Sequence, residues 1–222
     1  GKRHRSAYFA GAALKTERVQ QMTHDILIET TDGAPVRLRP LTLGDEEALR
    51  VAISKLSNRS RYLRFFNGAA TLPEHVVHRL ADVDGVNHVA WVAIDETQDD
   101  KPIIGAVHAQ RANETETFGE FSIALLDAWH ARGVSRVLIA LLAAESRKVG
   151  MEMLKADVRW ENKKGRALMA GSGARSAGSD GTTIQFRMVL DDVLDRLGAK
   201  ITPSMETVLS AIEEQGFFET AA

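Results

Sequence analysis

The segment with the clearest chemical potential is His130-Ala131-Arg132-Gly133, which leads directly into an apolar helical pattern. The first turn of a helix carries unpaired N–H groups and the positive end of the helix dipole, and such a site binds anions, phosphates especially. Gly133 would let a ligand approach the main chain closely, and Arg132 and Arg136 would add donors suited to phosphate. The alternative is a strand-to-helix turn in which the glycine only eases the bend. From this stretch alone, that alternative is the more common case.

A carboxylate lies shortly before this segment. Glu120 belongs to a predicted strand at 118–126, where it shares one face with the small residues Ser122 and Ala124. A glutamate in a partly dry cleft has its pKa raised toward the range useful for a general base. The alternative is a solvated glutamate at the edge of a sheet, and physical arguments alone do not choose between the two.

The composition sets limits on these hypotheses. The chain has 222 residues, 44% hydrophobic and 26% charged, which is ordinary for one globular domain. A net charge of −2 does not favour a polyanion-binding protein. With no cysteine in the sequence, disulfides, thiolate nucleophiles and zinc knuckles are excluded. The sequence contains no apolar run near the ~20 residues that span a membrane.

The chain divides into three expected parts. Residues 1–21 are basic and then briefly apolar, and we expect an N-terminal arm or a segment added by cloning. Residues 22–192 form the predicted domain, and 193–222 a C-terminal helical extension.

Within the domain, the pattern predicts the order β-α-α-β-β-β-α-β-α-β-β, which is a mixed α+β sheet. Thr42 with Asp45, and Thr71 with Glu74, predict the starts of two short helices. The basic and aromatic run 56–73 is predicted as a turn-rich connection. The predicted strands are 34–42, 88–94, 103–110, 118–126, 153–160 and 182–190, with a weak one within 171–181.

Two segments, EFSIALLDAWHARGVSRVLIALL (120–142) and VRWEN (158–162), resemble the core of the Gcn5-related N-acetyltransferase (GNAT) superfamily. The acyl-CoA loop of that family reads Gln/Arg-x-x-Gly-x-Gly/Ala, and His130, Gly133 and Ser135 stand here at its first, fourth and sixth positions. The match is partial, although His130 could still present its main-chain N–H and Ser135 is small. The likeness extends from 36 to 190.

The resemblance implies a fold and a cofactor site. The fold would be a mixed, mostly antiparallel central sheet of about seven strands flanked by helices, with a splayed strand pair holding acyl-CoA. Pantetheine would bond to the main chain near Ile123 and Leu125, and the pyrophosphate to amides between Arg132 and Arg136. The residues so implied in binding acetyl-CoA are Ile123, Leu125, His130, Arg132, Gly133, Val134, Ser135, Arg136 and Asn162.

The resemblance also implies a reaction. Glu120 would accept a proton from the incoming amine, which then attacks the thioester directly. A main-chain N–H on a bulged strand would stabilise the oxyanion. Asn162 would lie near the thioester, and its alternative is the N-cap of a helix beginning at Lys163. The reaction needs no metal and no covalent enzyme intermediate.

The acceptor is left open by the sequence. SNRSRYLRFF (57–66), VDGVNHVAWVA (83–93) and ENKKGRALM (161–169) resemble the bacterial protein-lysine acetyltransferases, so a protein lysine is the preferred acceptor of an acetyltransferase located in the cytoplasm. Within enzymes, the competing acceptor is a small amine, such as a polyamine, aminoglycoside or amino acid. Outside enzymes, the sequence is also compatible with a non-catalytic acyl-CoA-binding regulator and with a plain interaction module. Neither a nucleic-acid nor a membrane partner is expected, and a homodimer is one option for the oligomeric state.

Three further sets of residues have competing explanations. Arginines and aromatics at 59–66 suggest nucleic-acid binding, a substrate-side loop or the edge of a core. His75 and His78 are one helical turn apart, and surface histidines are expected rather than a metal pair. Trp91 and Trp160 fall in apolar strands and are predicted to be core residues.

Overall fold

The computed structural model describes residues 25–66, 69 and 71–215. The expected arm at 1–21 lies outside these residues. In the described chain one sheet contains eight strands, against about seven expected, in the order β1-β2-β3-β4-β5-β6-β8-β7. The strands are β1 Ile26–Glu29, β2 Pro35–Pro40, β3 His88–Asp95, β4 Ile103–Gln110, β5 Phe118–Leu125, β6 Met153–Arg159, β7 Arg175–Ser179 and β8 Thr183–Val189.

The sheet is mixed and mostly antiparallel. Only the β5–β6 pair is parallel among the described strands. A parallel pair needs a crossover connection, and the long helix between these two strands supplies it. The helices are α1 Glu46–Lys55, α2 Asn58–Phe65, α3 Glu74–Ala81, α4 Val134–Lys148, α5 Lys163–Gly171, α6 Leu190–Gly198 and α7 Pro203–Glu214.

Two hydrophobic clusters cover the two faces of the sheet. On one face α4 packs against β3 and β4, and α6 and α7 pack against α4. On the other face α1 and α3 cover the outer side chains of β3 and β4, including Ala90, Val92 and Ala106. Every residue of β3 is therefore buried, as the continuous apolar run at 88–94 predicts.

The crossover helix α4 is the centre of the larger cluster. Its predicted apolar stripe is buried, with Val137, Leu138 and Leu141 each at most 1% exposed. Burial extends to Glu145, whose carboxylate accepts a hydrogen bond from the Trp91 indole N–H. Burial raises the pKa of Glu145 to about 7, because the surroundings disfavour the charged form.

The structure differs from the sequence prediction most clearly at 56–73, where α2 replaces the expected connection. Ser57 caps this helix by accepting a hydrogen bond from the Ser60 N–H at 3.1 Å. Its single buried residue is Arg61, so the helix lacks the apolar periodicity that reveals helices in a sequence. The structure also adds β1 and α6, which the pattern did not predict.

The two predicted helix starts differ in outcome. Thr42 and Asp45 do interact: the Asp45 carboxylate accepts from the Thr42 N–H at 2.9 Å, and a 3₁₀ turn at Leu43–Asp45 leads into α1. Thr71 does not cap α3, because the residue at its N-cap is Pro73.

The C-terminal part packs on the domain. The expected boundary between 192 and 193 falls inside α6. Met205, Val208 and Ile212 of α7 are buried, and α7 contacts α4 and β1. No helix in the described ranges combines the length and apolarity needed to cross a bilayer.

Candidate active site

The parallel strands β5 and β6 separate at one end. They pair only at Phe118–Met153, Gly119–Leu154 and Glu120–Lys155. Beyond Glu120, β5 stays paired with β4 as far as Leu125, whereas β6 stays paired with β8 as far as Arg159. The sheet therefore opens into a gap whose vertex is at Glu120 and Lys155. This is the splayed pair that the resemblance implies.

The main chain of β5 faces this gap at alternate residues. The Leu126 N–H donates to the Ile104 carbonyl of β4, whereas the Thr117 carbonyl accepts from Glu152 and Met153 on the β6 side. Because successive residues of a strand direct their main-chain groups to opposite sides, Ile123 and Leu125 present theirs toward the gap. The predicted pantetheine contacts near Ile123 and Leu125 have main-chain groups in the required direction.

The resemblance implies an oxyanion donor on a bulged strand, and the β4–β5 register shows no bulge in β5. The pairing runs without a shift from Gly105–Leu125 to Gln110–Glu120. The sheet opens instead because β6 diverges and ends its pairing with β5 after Lys155. An oxyanion donor in this gap would thus come from a regular strand with an unpaired side.

The loop after β5 is shaped by left-handed residues. A 3₁₀ turn at Asp127–Trp129 is followed by Ala131 with φ 58° and Gly133 with φ 89°, the N-cap of α4. Only glycine adopts such a φ without steric cost, so Gly133 is required by the main chain. No side chain caps α4 at this end. The N–H groups of its first turn, from Val134 to Arg136, are thus open to an anion.

The turn between β1 and β2 supports this loop from the side. The Thr31 N–H donates to the Arg132 carbonyl at 3.2 Å, and the Arg132 guanidinium donates to Asp32 at 2.8 Å. The Arg132 guanidinium also stacks on the Trp129 ring at 4.1 Å. The bond from Arg132 is the main reason that the pKa of Asp32 falls to about 2. Arg132 is thus held by protein groups before any ligand arrives.

His130 does not have the expected role in one respect. Its main-chain N–H donates to the Asp127 carbonyl at 3.2 Å, within the 3₁₀ turn, so that N–H is not presented to a ligand. Its ring Nε2 instead lies 2.9 Å from the Leu125 carbonyl, and the carbonyl can only accept, so Nε2 carries the proton. The His130 side chain thus connects the loop to the last residue of β5 by a hydrogen bond.

Glu120 stands at the vertex of the gap with its side chain exposed. Desolvation, followed by the charge of Asp157, raises the pKa of Glu120, and Lys155 opposes this shift. The direction suits a base that works near neutral pH. Asp157 was not identified by the sequence patterns, because nothing local reveals that β6 places it beside Glu120.

Asn162 acts as the N-cap of α5. Its side-chain oxygen accepts from the Gly165 N–H at 2.8 Å. A Cβ at Gly165 would lie 2.5 Å from the Asn162 amide nitrogen, so the glycine makes room for the cap. The structural explanation of Asn162 is therefore correct, and its placement near a thioester stays a prediction.

Helix α2 lies across the gap and contacts both separated strands. On the β5 side, Ser60 donates to the Asp127 carboxylate at 2.6 Å, and Arg64 donates to the Ser122 hydroxyl at 2.7 Å. On the β6 side, the Arg159 guanidinium packs on Tyr62 at 4.6 Å and on Phe66 at 5.0 Å. Residues 59–66 therefore border the gap, while Phe65 also packs against the smaller hydrophobic cluster. A substrate-side role for this segment stays a prediction.

Two buried histidines lie beneath this helix and were missed in the sequence. The His88 and His108 rings are joined by a hydrogen bond of 3.0 Å. His88 Nδ1 donates to the Asp82 carbonyl, so His88 Nε2 accepts and His108 Nδ1 donates. Burial, then the charges of His88 and Arg64, keep the pKa of His108 well below its usual value. The pair is neutral and forms a polar floor beside Ser122.

The positions of the predicted core tryptophans and of His78 show what these residues contact. Trp91 is fully buried, but Trp160 is 59% exposed just after β6 and packs against Arg166, so its prediction as a core residue was wrong. His78 is exposed and pairs with Glu46.

The described residues contain no group of side chains arranged for a metal ion. A cavity of about 270 Å³ between α1 and α3 is lined by none of the predicted site residues.

Comparison with known proteins supports the same class of fold. The search against family models found no match. The GNAT domain of S. lividans PAT superposes with a TM-score of 0.68 at 25% identity, covering 74% of this chain and 96% of that one. A cAMP-binding acyltransferase from Mycobacterium smegmatis gives 0.53 at 20% identity, and the match spans 85% of this chain but only 56% of that protein. The ribosomal-protein-S5-alanine acetyltransferase from Vibrio fischeri gives 0.54 at 17% identity, covering 76% and 98%.

The sheet order, the splayed parallel pair and the glycine-led helix start define an acyl-CoA-dependent N-acetyltransferase fold. The chain is a member of the GNAT superfamily. Three predictions from the sequence are confirmed for this class of protein. They are the superfamily, the acyl-CoA-dependent N-acetyltransferase and acetyl-CoA as its co-substrate.

Proposed function

We propose that this chain transfers the acetyl group of acetyl-CoA to a protein lysine, with Glu120 as the general base. The observation that carries the proposal is the arrangement around the gap. A carboxylate with a raised pKa stands at its vertex, and an uncapped helix start stands at its open end. A thioester held between them would lie next to a proton acceptor.

The donor would be bound mainly by main-chain groups. The N–H groups of Gly133, Val134, Ser135 and Arg136 suit the pyrophosphate, because they lie at the positive end of α4 and have no side-chain cap. The unpaired edge of β5 at Ile123 suits the amide groups of pantetheine. This part of the proposal requires few particular side chains, so serine at position 135 is compatible with it.

The chemistry follows from the state of the amine. A lysine ammonium has no lone pair, so it loses a proton before its nitrogen attacks the thioester carbonyl. Glu120 accepts that proton, and its raised pKa reduces the difference in pKa between the base and the lysine ammonium. The nitrogen–carbon bond forms and the carbon–sulfur bond breaks. The nitrogen then loses its second proton to become an amide, and the departing CoA thiolate takes up a proton and leaves as the thiol. An N–H on the gap side of β5 would stabilise the oxyanion in between.

A polypeptide acceptor is favoured by two observations. The GNAT domain of S. lividans PAT, a protein acetyltransferase, has the highest TM-score of the compared structures named above and is matched over 96% of its length. The mouth of the gap carries exposed aromatic side chains, with Phe66 44% and Trp160 59% exposed, which suits contact with a large acceptor. A cytoplasmic location stays a prediction.

Two other functions remain to be tested against this one. A small-amine acetyltransferase would share the same donor site and base. A non-catalytic acyl-CoA-binding protein is the second candidate, because His130 and Ser135 depart from the family loop and the His130 N–H is occupied.

The decisive experiment compares Glu120→Gln with the wild type in a thiol-release assay over a panel of lysine peptides and small amines. We expect kcat to fall about 10²- to 10⁴-fold, because a positioned base contributes that much. Acetyl-CoA binding, measured by calorimetry, should be unchanged. Glu114→Gln, an exposed glutamate in the β4–β5 turn, is the matched control and should retain full activity.

The outcomes separate the three candidates. Wild-type binding of CoA without thioester loss for any amine would support the non-catalytic candidate. Turnover that is the same in Glu120→Gln across the pH range would remove Glu120 from the mechanism. A panel in which only small amines react would replace the protein acceptor.

A further inference from the structure

The Arg64 side chain is a cation without a carboxylate partner in the described part of the chain. It extends from the last turn of α2 and donates from Nη2 to the Ser122 hydroxyl at 2.7 Å. Its guanidinium carbon lies 4.6 Å from the centre of the Phe65 ring. These two contacts fix the plane of the guanidinium but leave its charge unbalanced.

This situation is costly for the protein. Desolvation lowers the pKa of the Arg64 guanidinium to about 10, and no neighbouring carboxylate counteracts that effect within the described residues. Several other arginines have a carboxylate partner: Arg37 pairs with Glu96, Arg39 with Asp45, and Arg147 with Asp191. The buried Arg61 and Arg111 each donate instead to two or three carbonyl and amide oxygens. A desolvated charge is normally balanced by an opposite charge or a metal-bound group. An anion supplied by a ligand would complete this arrangement.

The position of Arg64 indicates which ligand. Ser122 and Glu120 lie two residues apart on the same face of β5, which places their Cα atoms about 7 Å apart. The pyrophosphate loop lies beyond the opposite end of the gap, after Leu125. Arg64 is therefore associated with the part of the gap where the proposed base receives the acceptor amine.

The surroundings of Arg64 also favour an anion. Beneath it, the His88–His108 pair is neutral and supplies no negative charge. On the β6 side of α2, Arg159 is stacked on aromatic rings, and its Nε is buried without a hydrogen-bond partner in the described structure. Two arginines thus flank the gap with donors that no described carboxylate occupies.

We propose that Arg64 and Ser122 form a subsite for a carboxylate carried by the acceptor, close to the amine that is acetylated. The proposal rests on the proposed function, since it assumes that the acceptor enters beside Glu120. A guanidinium fork matches the two oxygens of a carboxylate, and the Ser122 hydroxyl adds a donor once Arg64 turns to the ligand. The carboxylate is either an Asp or Glu beside the target lysine or the α-carboxylate of a free amino acid.

The test measures preference rather than rate alone. Blocked peptides with one lysine carry Glu or Gln at the position before it, one after it or two after it. Lysine and lysinamide form the small-molecule arm. The wild type is expected to prefer the carboxylate form in at least one pair by about 10- to 100-fold in kcat/KM, because a hydrogen bond to a charged group contributes that much. A preference among the peptides identifies a polypeptide source, and one limited to lysine identifies an amino acid.

The variants assign that preference to Arg64. In Arg64→Gln, the preference should fall below about twofold, mainly through KM for the carboxylate form, while KM for acetyl-CoA stays unchanged. Arg64→Lys, which keeps the charge but loses the fork, should give an intermediate value. Arg79→Gln removes an exposed arginine of α3 and should keep the full preference. Thermal unfolding of each variant checks that the fold persists.

The result can overturn the subsite without affecting the transferase. Equal turnover of carboxylate and amide forms by the wild type would do so, as would an Arg64→Gln variant that keeps the preference or loses affinity for acetyl-CoA instead. Where no amine reacts, the proposed function fails by itself. Calorimetric titration of the same peptides into CoA-saturated protein then decides the subsite, and equal affinities for the Glu and Gln forms overturn it.

Discussion

The two ends of the gap hold positive groups in opposite ways. At the loop before α4, the arginine side chain is already paired, because Arg132 binds Asp32, and the open donors are main-chain N–H groups. At α2, the main chain is occupied within the helix, and the open donor is the side chain of Arg64. On the proposed function, donor binding would depend on backbone conformation, whereas acceptor binding would depend on the identity of side chains.

This contrast explains how the loop can depart from its family pattern. A backbone site tolerates His130 and Ser135 as long as the chain keeps its course through Gly133. A side-chain site has no such tolerance, since replacing one arginine removes the charge.

The largest effect expected on this comparison comes from Gly133→Val. A β-branched residue at φ 89° is strained by about 1–3 kcal/mol, and the loop would move to relieve it. We expect KM for acetyl-CoA to rise about 10- to 100-fold in steady-state kinetics, with the acceptor preference unchanged. Gly171→Ala, in α5 with open space around it, is the control. An unaltered KM would contradict the backbone explanation of donor binding.

A smaller effect is expected from Asp157→Asn, which changes the charge beside the base. Negative Asp157 favours the protonated form of Glu120 and raises its pKa, so removing that charge lowers it. The acidic limb of the kcat/KM profile should move to lower pH, giving about a 3- to 10-fold higher rate at the acidic end. Lys155→Met should move the limb the other way. If both variants give the same pH profile as the wild type, Glu120 is not the group whose titration sets the acidic limb.

The smallest effect is expected from Asp32→Asn, which tests whether Arg132 is restrained at the loop. Without the Asp32 carboxylate, Arg132 is freer to face a diphosphate, and one negative charge near it is removed. CoA should bind about 2- to 5-fold more tightly by calorimetry at low salt, and the gain should shrink as salt screens the charges. Weaker binding would mean that Asp32 positions Arg132 for the ligand.

Local sequence signals predicted much of the sheet and of the loop before α4. The apolar run at 88–94 predicted a strand buried on both faces, and β3 is buried at every residue. The helix after Gly133 was predicted with its apolar stripe, because α4 is long and buried on most sides. The same signals failed for α2, whose sequence NRSRYLRF holds one buried residue, an arginine. Trp160 was misassigned because an apolar strand was expected to continue past Arg159.

The sequence by itself determined the glycine-led start of α4 and the strand that carries Glu120, since each depends on residue type and local spacing. Tertiary structure alone decided that β6 leaves β5 after Lys155, that Asp157 stands near Glu120 and that Arg64 reaches Ser122 across 58 positions of chain. Periodicity records which face of an element is buried. It contains no information on which distant charge that face will meet.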